Sequence, residues 1–182
     1  MRLETERLVL RPLTLGDLVG LTSFYGDPEV MRFMGGGGPV DALQTRASLE
    51  RMIATFEAEG FGQLAVERKE DGSFMGRCGL FVWDTASWTP TRVLDSKGPV
   101  EVEVGWLLGH GYWGHGYATE AAVAVRDWAL GDLGRERLIS LIYAENARSI
   151  AVARKLGMEL EGEVELFGNP VTVYALGKRP AR

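Results

Sequence analysis

The sequence predicts a single α+β domain over residues 1–182, with a mixed, mostly antiparallel central sheet and helices on both of its faces. Three observations predict it. A length of 182 residues suits one hydrophobic core, since single domains run to roughly 150 residues. β-rich runs separated by turn signals occupy residues 61–83 and 158–176, as antiparallel hairpins do. Between them, residues 100–143 read strand, glycine loop, helix, strand, a crossover that adds one parallel pair.

Each element follows from its own residues. Leu8, Val9, Leu10 and Pro12-Leu13 form a short apolar strand, and Thr14 with Asp17 has the spacing of a capping box, which predicts a helix over 15–25. Asp27-Pro28 is a second start signal, because aspartate accepts from free helix N–H groups and proline tolerates the first helical position; a short helix is expected over 29–34. Gly35 to Gly38 and Pro39 hold no regular structure and form either a connector or a lid over a substrate. Leu43, Ala47, Met52, Ile53 and Phe56 recur near helical period through residues 41–59, and Gly60 supplies the stop.

Residues 61–69 and 73–83 pair as a hairpin about Glu70-Asp71-Gly72. Residues 84–99, with Pro90, Pro99 and Trp88, make a long excursion, read either as a functional loop or as a surface hairpin. Residues 100–108 alternate Val102, Val104 and Trp106 with Glu101, Glu103 and Gly105, which puts both glutamates on one face of a strand. A helix over 119–130, a strand over 138–143 and a helix over 147–156, capped by Asn146 and stopped by Gly157, follow. A hairpin of 158–166 and 171–176 about Gly168-Asn169-Pro170 ends the chain.

With 46% hydrophobic and 25% charged residues and a net charge of -5, the chain has a soluble globular composition, not a disordered one. Its Lys and Arg are scattered, so nucleic acid is not an expected partner. The single cysteine, Cys78, cannot close an intrachain disulfide and reads as a buried thiol in a reducing compartment. The opening residues are charged, and no window offers ~20 uninterrupted apolar residues, so the expected location is the cytoplasm, with no membrane partner.

Residues 109–118 carry the strongest chemical signal. Consecutive small residues between a strand and a helix let backbone N–H groups face an anion, and the helix dipole adds favourable charge. A nucleoside-triphosphate loop would need Lys and Ser or Thr after its last glycine, where His115-Gly116 stand. A dinucleotide fingerprint fits Gly109, Gly111 and Gly114 by spacing alone, but the preceding strand alternates Glu and Val and only one β-α-β unit exists. His110 and His115 lack a cysteine or carboxylate partner, so no metal site is expected. The tryptophans read as packing residues.

Trp113-Gly114-His115-Gly116-Tyr117-Ala118 resembles the acetyl-coenzyme A loop of the GNAT superfamily of N-acetyltransferases, Q/R-x-x-G-x-G/A. Glu4-Thr5-Glu6-Arg7-Leu8, Asp27-Pro28-Glu29-Val30-Met31, and Asn146-Ala147-Arg148-Ser149 with Lys155-Leu156-Gly157-Met158 are similar to its ribosomal-protein N-terminal acetyltransferase branch. Trp113 departs from the pattern, standing where Gln or Arg is usual, so backbone donors and the helix terminus must serve the pyrophosphate.

The resemblance implies the GNAT fold and transfer of acetyl from acetyl-CoA, the cosubstrate, to a primary amine. It implies that Trp106, Leu107 and Leu108 hold the pantetheine arm in strand fashion, that Trp113, Gly114, His115, Gly116, Tyr117, Ala118 and Thr119 hold the pyrophosphate, and that Asn146 contacts the pantetheine. Glu103 is the candidate general base, with Glu101 on the same face. The tyrosine that many relatives use as acid falls at Ala153, so Ser149 is the candidate acid and Tyr143 the reserve. The acceptor expected from the branch is a protein N-terminal amine; a polyamine, amino acid or antibiotic is the alternative, a non-catalytic coenzyme sensor is the rival of another class, and a homodimer is left open.

Overall fold

Capping chemistry decides where the helices begin in the computed structural model, which describes residues 1–177. The Thr14 N–H donates to Asp17 Oδ2 at 2.8 Å, completing the capping box of a 3₁₀ turn, Leu15–Asp17, that runs into α1, Leu18–Tyr25. Burial disfavours the charge on Asp17, but Arg11, at 2.7 and 2.9 Å, and the Thr14 donors outweigh it and hold the carboxyl below its usual range. Asp27 accepts from Glu29 N at 2.8 Å to start α2, Pro28–Met31. This helix is shorter than the expected 29–34, because Arg32 and Phe33 turn away into the glycine segment. Asp41 and Gln44 form a second capping box for α3, Ala42–Glu59, which ends on Gly60 in the left-handed conformation (φ 74°).

The strands are β1 (Leu3–Glu4), β2 (Leu8–Pro12), β3 (Gln63–Arg68), β4 (Phe74–Asp84), β5 (Thr89–Thr91), β6 (Val100–Leu108), β7 (Leu138–Ile142), β8 (Glu159–Leu166) and β9 (Asn169–Leu176). They form one mixed sheet in the order β1-β2-β3-β4-β6-β7-β9-β8, with β5 folded back on β4. The excursion after β4 is therefore partly a hairpin. The last hairpin is tighter than expected: Phe167 (φ 52°) and Gly168 (φ 75°) make the turn, and Asn169-Pro170 already belong to β9.

Side-chain alternation builds a core on each face. Leu64, Val66, Val102 and Val104 point to the face covered by α4 (Tyr117–Gly131) and α5 (Ala147–Lys155), where Ala121, Val125, Ala129 and Ala153 are buried. Ala65 and Leu107 point to the opposite face, against Leu21 and Tyr25 of α1, Val30 and Met31 of α2 and Leu49 of α3. Cys78 lies wholly in the first core, where burial pushes its thiol up to about 12 and keeps it protonated.

Strands β6 and β7 are the one parallel pair among the described residues, and a single register pair, Glu103↔Ile139, joins them. Arg137, just before β7, clamps the end where both strands start: its Nε–H reaches Glu101 at 3.0 Å and its terminal nitrogens donate to both Glu161 oxygens at 2.8 Å. Closed there, the pair is free to part only at its other end. Removing one partner of a buried ion cluster leaves the rest uncompensated. Arg137→Ala is expected to lower the unfolding free energy by about 3 kcal/mol, read from urea denaturation.

Candidate functional site

The parting of β6 and β7 has an identifiable chemical cause. In a continued parallel ladder, Leu141 N–H would bond Val104 O. Instead Ser140 Oγ–H donates to Val104 O at 2.7 Å, and Leu141 N–H donates to Glu103 Oε1 at 3.2 Å. Two side chains thus satisfy the backbone groups at the fork and let the strands diverge. Backbone groups alternate edges along a strand, so Trp106 and Leu108 face the same edge as Val104, now without a strand beside them. The Leu107 carbonyl points the other way, toward Gly76 of β4. Leu107 thus faces the cavity with its side chain and gives no backbone group to the open edge.

Glu103 itself is 8% exposed and lies in no ion pair among the described residues. Trp83 Nε1–H donates to its Oε2 at 2.6 Å. Burial pushes the carboxyl above its usual range; the Trp83 and Leu141 donors and the charge of Arg77 oppose the shift without cancelling it. Neither glutamate lies on a solvated face: Glu101 is buried too and engaged by Arg137. Sequence reading placed Trp83 in the packing and missed its bond to Glu103, which only the β4–β6 register reveals.

Past the fork opens a cavity of about 630 Å³, lined by Trp106, Leu107 and Leu108 of β6, by the glycine loop, by α5 and by residues 29–34. Gly114 and Gly116 both have φ 82°, and Gly116 caps α4 without a side chain, which starts the helix two residues before the expected 119. The first helical bond is Glu120 N–H to Gly116 O, so the amides of Tyr117, Ala118 and Thr119 have no intrahelical acceptor. They stand at a helix N-terminus that lines the cavity, a geometry that suits a diphosphate.

The loop is braced from behind. Arg7 donates to His115 O at 3.0 Å, pairs with Glu120 at 2.7 Å and lies over the Tyr117 ring at 4.4 Å. His115 offers its carbonyl to this brace and does not line the cavity. The Trp113 indole donates to Leu108 O at 2.8 Å, and its ring carries the Arg148 guanidinium 4.9 Å from the centroid. A cation therefore does stand beside Trp113, supplied from α5. Arg7, Glu120 and Arg148 escaped the sequence reading, although Arg7 and Arg148 lie in motifs it singled out.

On α5, Asn146 Oδ1 accepts from Ser149 N at 3.1 Å, so its carbonyl oxygen is a helix cap, while both residues line the cavity. Ala153 is buried beneath the helix. Tyr143 does not line the cavity: its hydroxyl donates to Gly35 O at 2.8 Å, its ring meets Phe33, and burial pushes its pKa up. The phenol thus ties the glycine segment, and the reserve proton donor is already engaged elsewhere. No group of three or more candidate metal ligands occurs among the described residues, and no described helix is long and apolar enough to cross a membrane.

A helix N-terminus suited to an anion and an open strand edge line one cavity, while the buried Glu103 carboxyl lies at the fork and is not among the residues that line it. The chain belongs to the GNAT acetyltransferases: the family model described as an acetyltransferase (GNAT) domain matches residues 7–159. It is 30% identical to the uncharacterized N-acetyltransferase p20 of Bacillus licheniformis, over 88% of this chain and 83% of that one. The crystal structure of an acetyltransferase from Agrobacterium tumefaciens superposes with a TM-score of 0.77 at 33% identity, covering 98% of this chain and 95% of that one. A ribosomal L7/L12 alpha-N-protein acetyltransferase in complex with coenzyme A shares the fold, with a TM-score of 0.75 at 15% identity over 97% and 98% of the two chains. The chain is accordingly an acetyl-CoA-dependent N-acetyltransferase, and the sensor reading gives way to an enzyme.

Two predictions follow from this geometry. A side chain at Gly116 is strained at φ 82° and meets Arg7 at 3.5 Å, so Gly116→Val is expected to weaken coenzyme A binding about tenfold or more by calorimetry. Glu103 ionises at higher pH folded than unfolded. Between those two pKa values the unfolded chain has lost the proton and the folded chain retains it, so stability falls as pH rises through that window and is flat above it. In Glu103→Gln this loss is expected to vanish from urea midpoints measured across the window.

Proposed function

We propose that the enzyme acetylates a primary amine by direct attack, with Glu103 as the base. The observation that carries this reading is the Glu103 carboxyl at the fork, buried and free of any cation in contact, while Glu101 beside it is held by Arg137. Burial raises its pKa, which makes it a stronger base than an exposed carboxylate. As the amine nitrogen bonds to the acetyl carbon, its proton passes to Glu103, directly or through a water, and the carbon–sulfur bond breaks. Ser149, which lines the cavity, hydrogen-bonds the departing thiolate or relays a proton to it from solvent, which returns the proton to the hydroxyl. The Trp106 N–H on the open edge is the donor for the carbonyl oxygen, and the amides of residues 114 and 116–119 with Arg148 hold the pyrophosphate.

The ribosomal-protein branch motifs, together with the L7/L12 enzyme among the structural neighbours, support the N-terminal amine of a protein as the first acceptor to test. Chemistry supports it as well: an α-amine loses its proton near ~8, a lysine amine near ~10.4, so less is asked of a carboxylate base. Following free thiol from acetyl-CoA with N-terminal peptides and small amines tests this reading; it fails if no amine accelerates thiol release. Glu103→Gln is expected to slow transfer about 10²-fold near neutral pH, with the defect shrinking as pH nears the amine's own pKa and with the KM for acetyl-CoA unchanged. An unaltered pH profile would remove Glu103 from the mechanism. Ser149→Ala is expected to lower kcat about tenfold or more with little change in KM.

A further inference from the structure

The sheet face that carries Glu103 is built differently from the rest of the molecule. Helices α1 to α3 cover it only around Ala65 and Leu107. Farther along, two apolar clusters contain no helical residue: Trp83, Leu166 and Val171 with Phe81, Trp88, Leu141 and Tyr143, and Ile139, Val173 and Ala175 with Trp88, Leu141 and Val164. Glu103 sits among them, since Phe81 is its cross-strand partner on β4, Ile139 its partner on β7, Trp83 its indole donor and Leu141 its amide donor. Phe81, Trp88, Leu141 and Tyr143 are only partly buried, so the rings and the aliphatic side chain form a wall that remains open to a ligand.

Trp88 shows how this wall is made. Its backbone is left-handed (φ 50°), a conformation that a bulky residue rarely adopts. Asp84 holds it there: its carbonyl accepts from Trp88 N at 2.8 Å, while its Oδ1 accepts from the amides of Ala86 and Ser87 at 2.9 and 3.1 Å. The turn delivers the indole to both clusters. At the other end, the Phe33 and Tyr143 rings lie 6.2 Å apart, and Phe33 also lines the cavity assigned to the coenzyme, so one ring links the wall to that cavity.

Charge on this face is as informative as shape. Glu101 is neutralised by Arg137, which leaves Glu103 as the carboxyl without a contacting cation. Arg77 is also buried on this face; its Nε–H donates to Tyr25 OH at 2.6 Å, its NH1 to Gln63 Oε1 at 2.7 Å, and it lies 5.2 Å from the Phe81 ring centre. No carboxylate among the described residues pairs with it. A ligand here meets the Glu103 carboxyl, one buried cation paired with no carboxylate among the described residues, Arg77, and aromatic surface. A single ammonium next to an apolar body gains from the carboxyl and the ring faces; a second ammonium would meet the field of Arg77.

We propose that the acceptor is a primary amine carried on an uncharged apolar or aromatic body, selected by the wall of Trp88, Phe81 and Tyr143 beside Glu103. This rests on the reading of Glu103 as the base and narrows it to a substrate class. The test measures kcat/KM by thiol release with phenethylamine and phenylalaninamide against spermidine and agmatine. The aromatic amines are expected to be preferred at least tenfold. Trp88→Gly, which also relieves the left-handed strain, is expected to lower kcat/KM for the aromatic amines about tenfold while the KM for acetyl-CoA, the sign of an intact fold, stays unchanged. Trp88→Leu is expected to restore part of the loss. Preference for spermidine or agmatine, or a Trp88→Gly enzyme indifferent to the aromatic amines, overturns the proposal and leaves the acetyltransferase reading standing. Acetyl-CoA binding without transfer to any of the four amines also overturns it. Failure to bind acetyl-CoA would overturn the donor assignment instead.

Discussion

Two strands that cannot remain paired organise this molecule. Strands β6 and β7 are clamped by Arg137 at the end where both begin, share one register pair, and are then forced apart because the Ser140 hydroxyl and the Glu103 carboxylate take the backbone groups that would have continued the ladder. The cost of leaving a parallel pair unfinished is offset in part locally, by side chains that satisfy the Val104 carbonyl and the Leu141 amide. Divergence of the strands opens an edge of β6 to the cavity, with the buried Glu103 carboxyl at the point where they part. Fold and chemistry share a single structural cause.

The glycine loop depends on this fork for its aim. Trp113 ties the loop to the end of β6 through Leu108, and Arg7 with Glu120 ties its far side to the start of the chain. Between those anchors, Gly114 and Gly116 adopt positive φ, so the following helix presents its amides to the cavity. Placing an indole where relatives carry Gln or Arg does not strip the loop of charge, because the same indole supports Arg148 by its ring face. The cation has moved to another helix, and the tryptophan has become its platform.

Much of the fold was legible in the residues because local rules agree with one another there. Capping at Thr14, Asp27 and Asn146, the stop at Gly60 and the alternation of Val102 and Val104 with the glutamates each placed an element within a few residues. Boundaries failed where a glycine or a non-glycine residue took a positive φ, as at Gly116 and Phe167, since pattern alone does not report backbone handedness. The site was legible in outline for the same reason the loop was, a run of small residues between strand and helix. Its finer parts were not. Trp83 reaches Glu103 through a cross-strand register, Arg7 reaches the loop across 108 positions, and Tyr143 spends its hydroxyl on Gly35 over the same separation. None of these meetings has a signature in sequence spacing.

Ala153 carries a consequence for any attempt to redesign the chemistry. Its methyl group is fully enclosed where α5 packs toward α4, at the position where many relatives bear a phenol. A ring introduced there would overfill a closed core, and the strain would fall on the helix whose first turn carries Asn146, Arg148 and Ser149. Core volume beneath α5 and the placing of the side chains at its cavity end are therefore coupled, and a change at residue 153 acts on both.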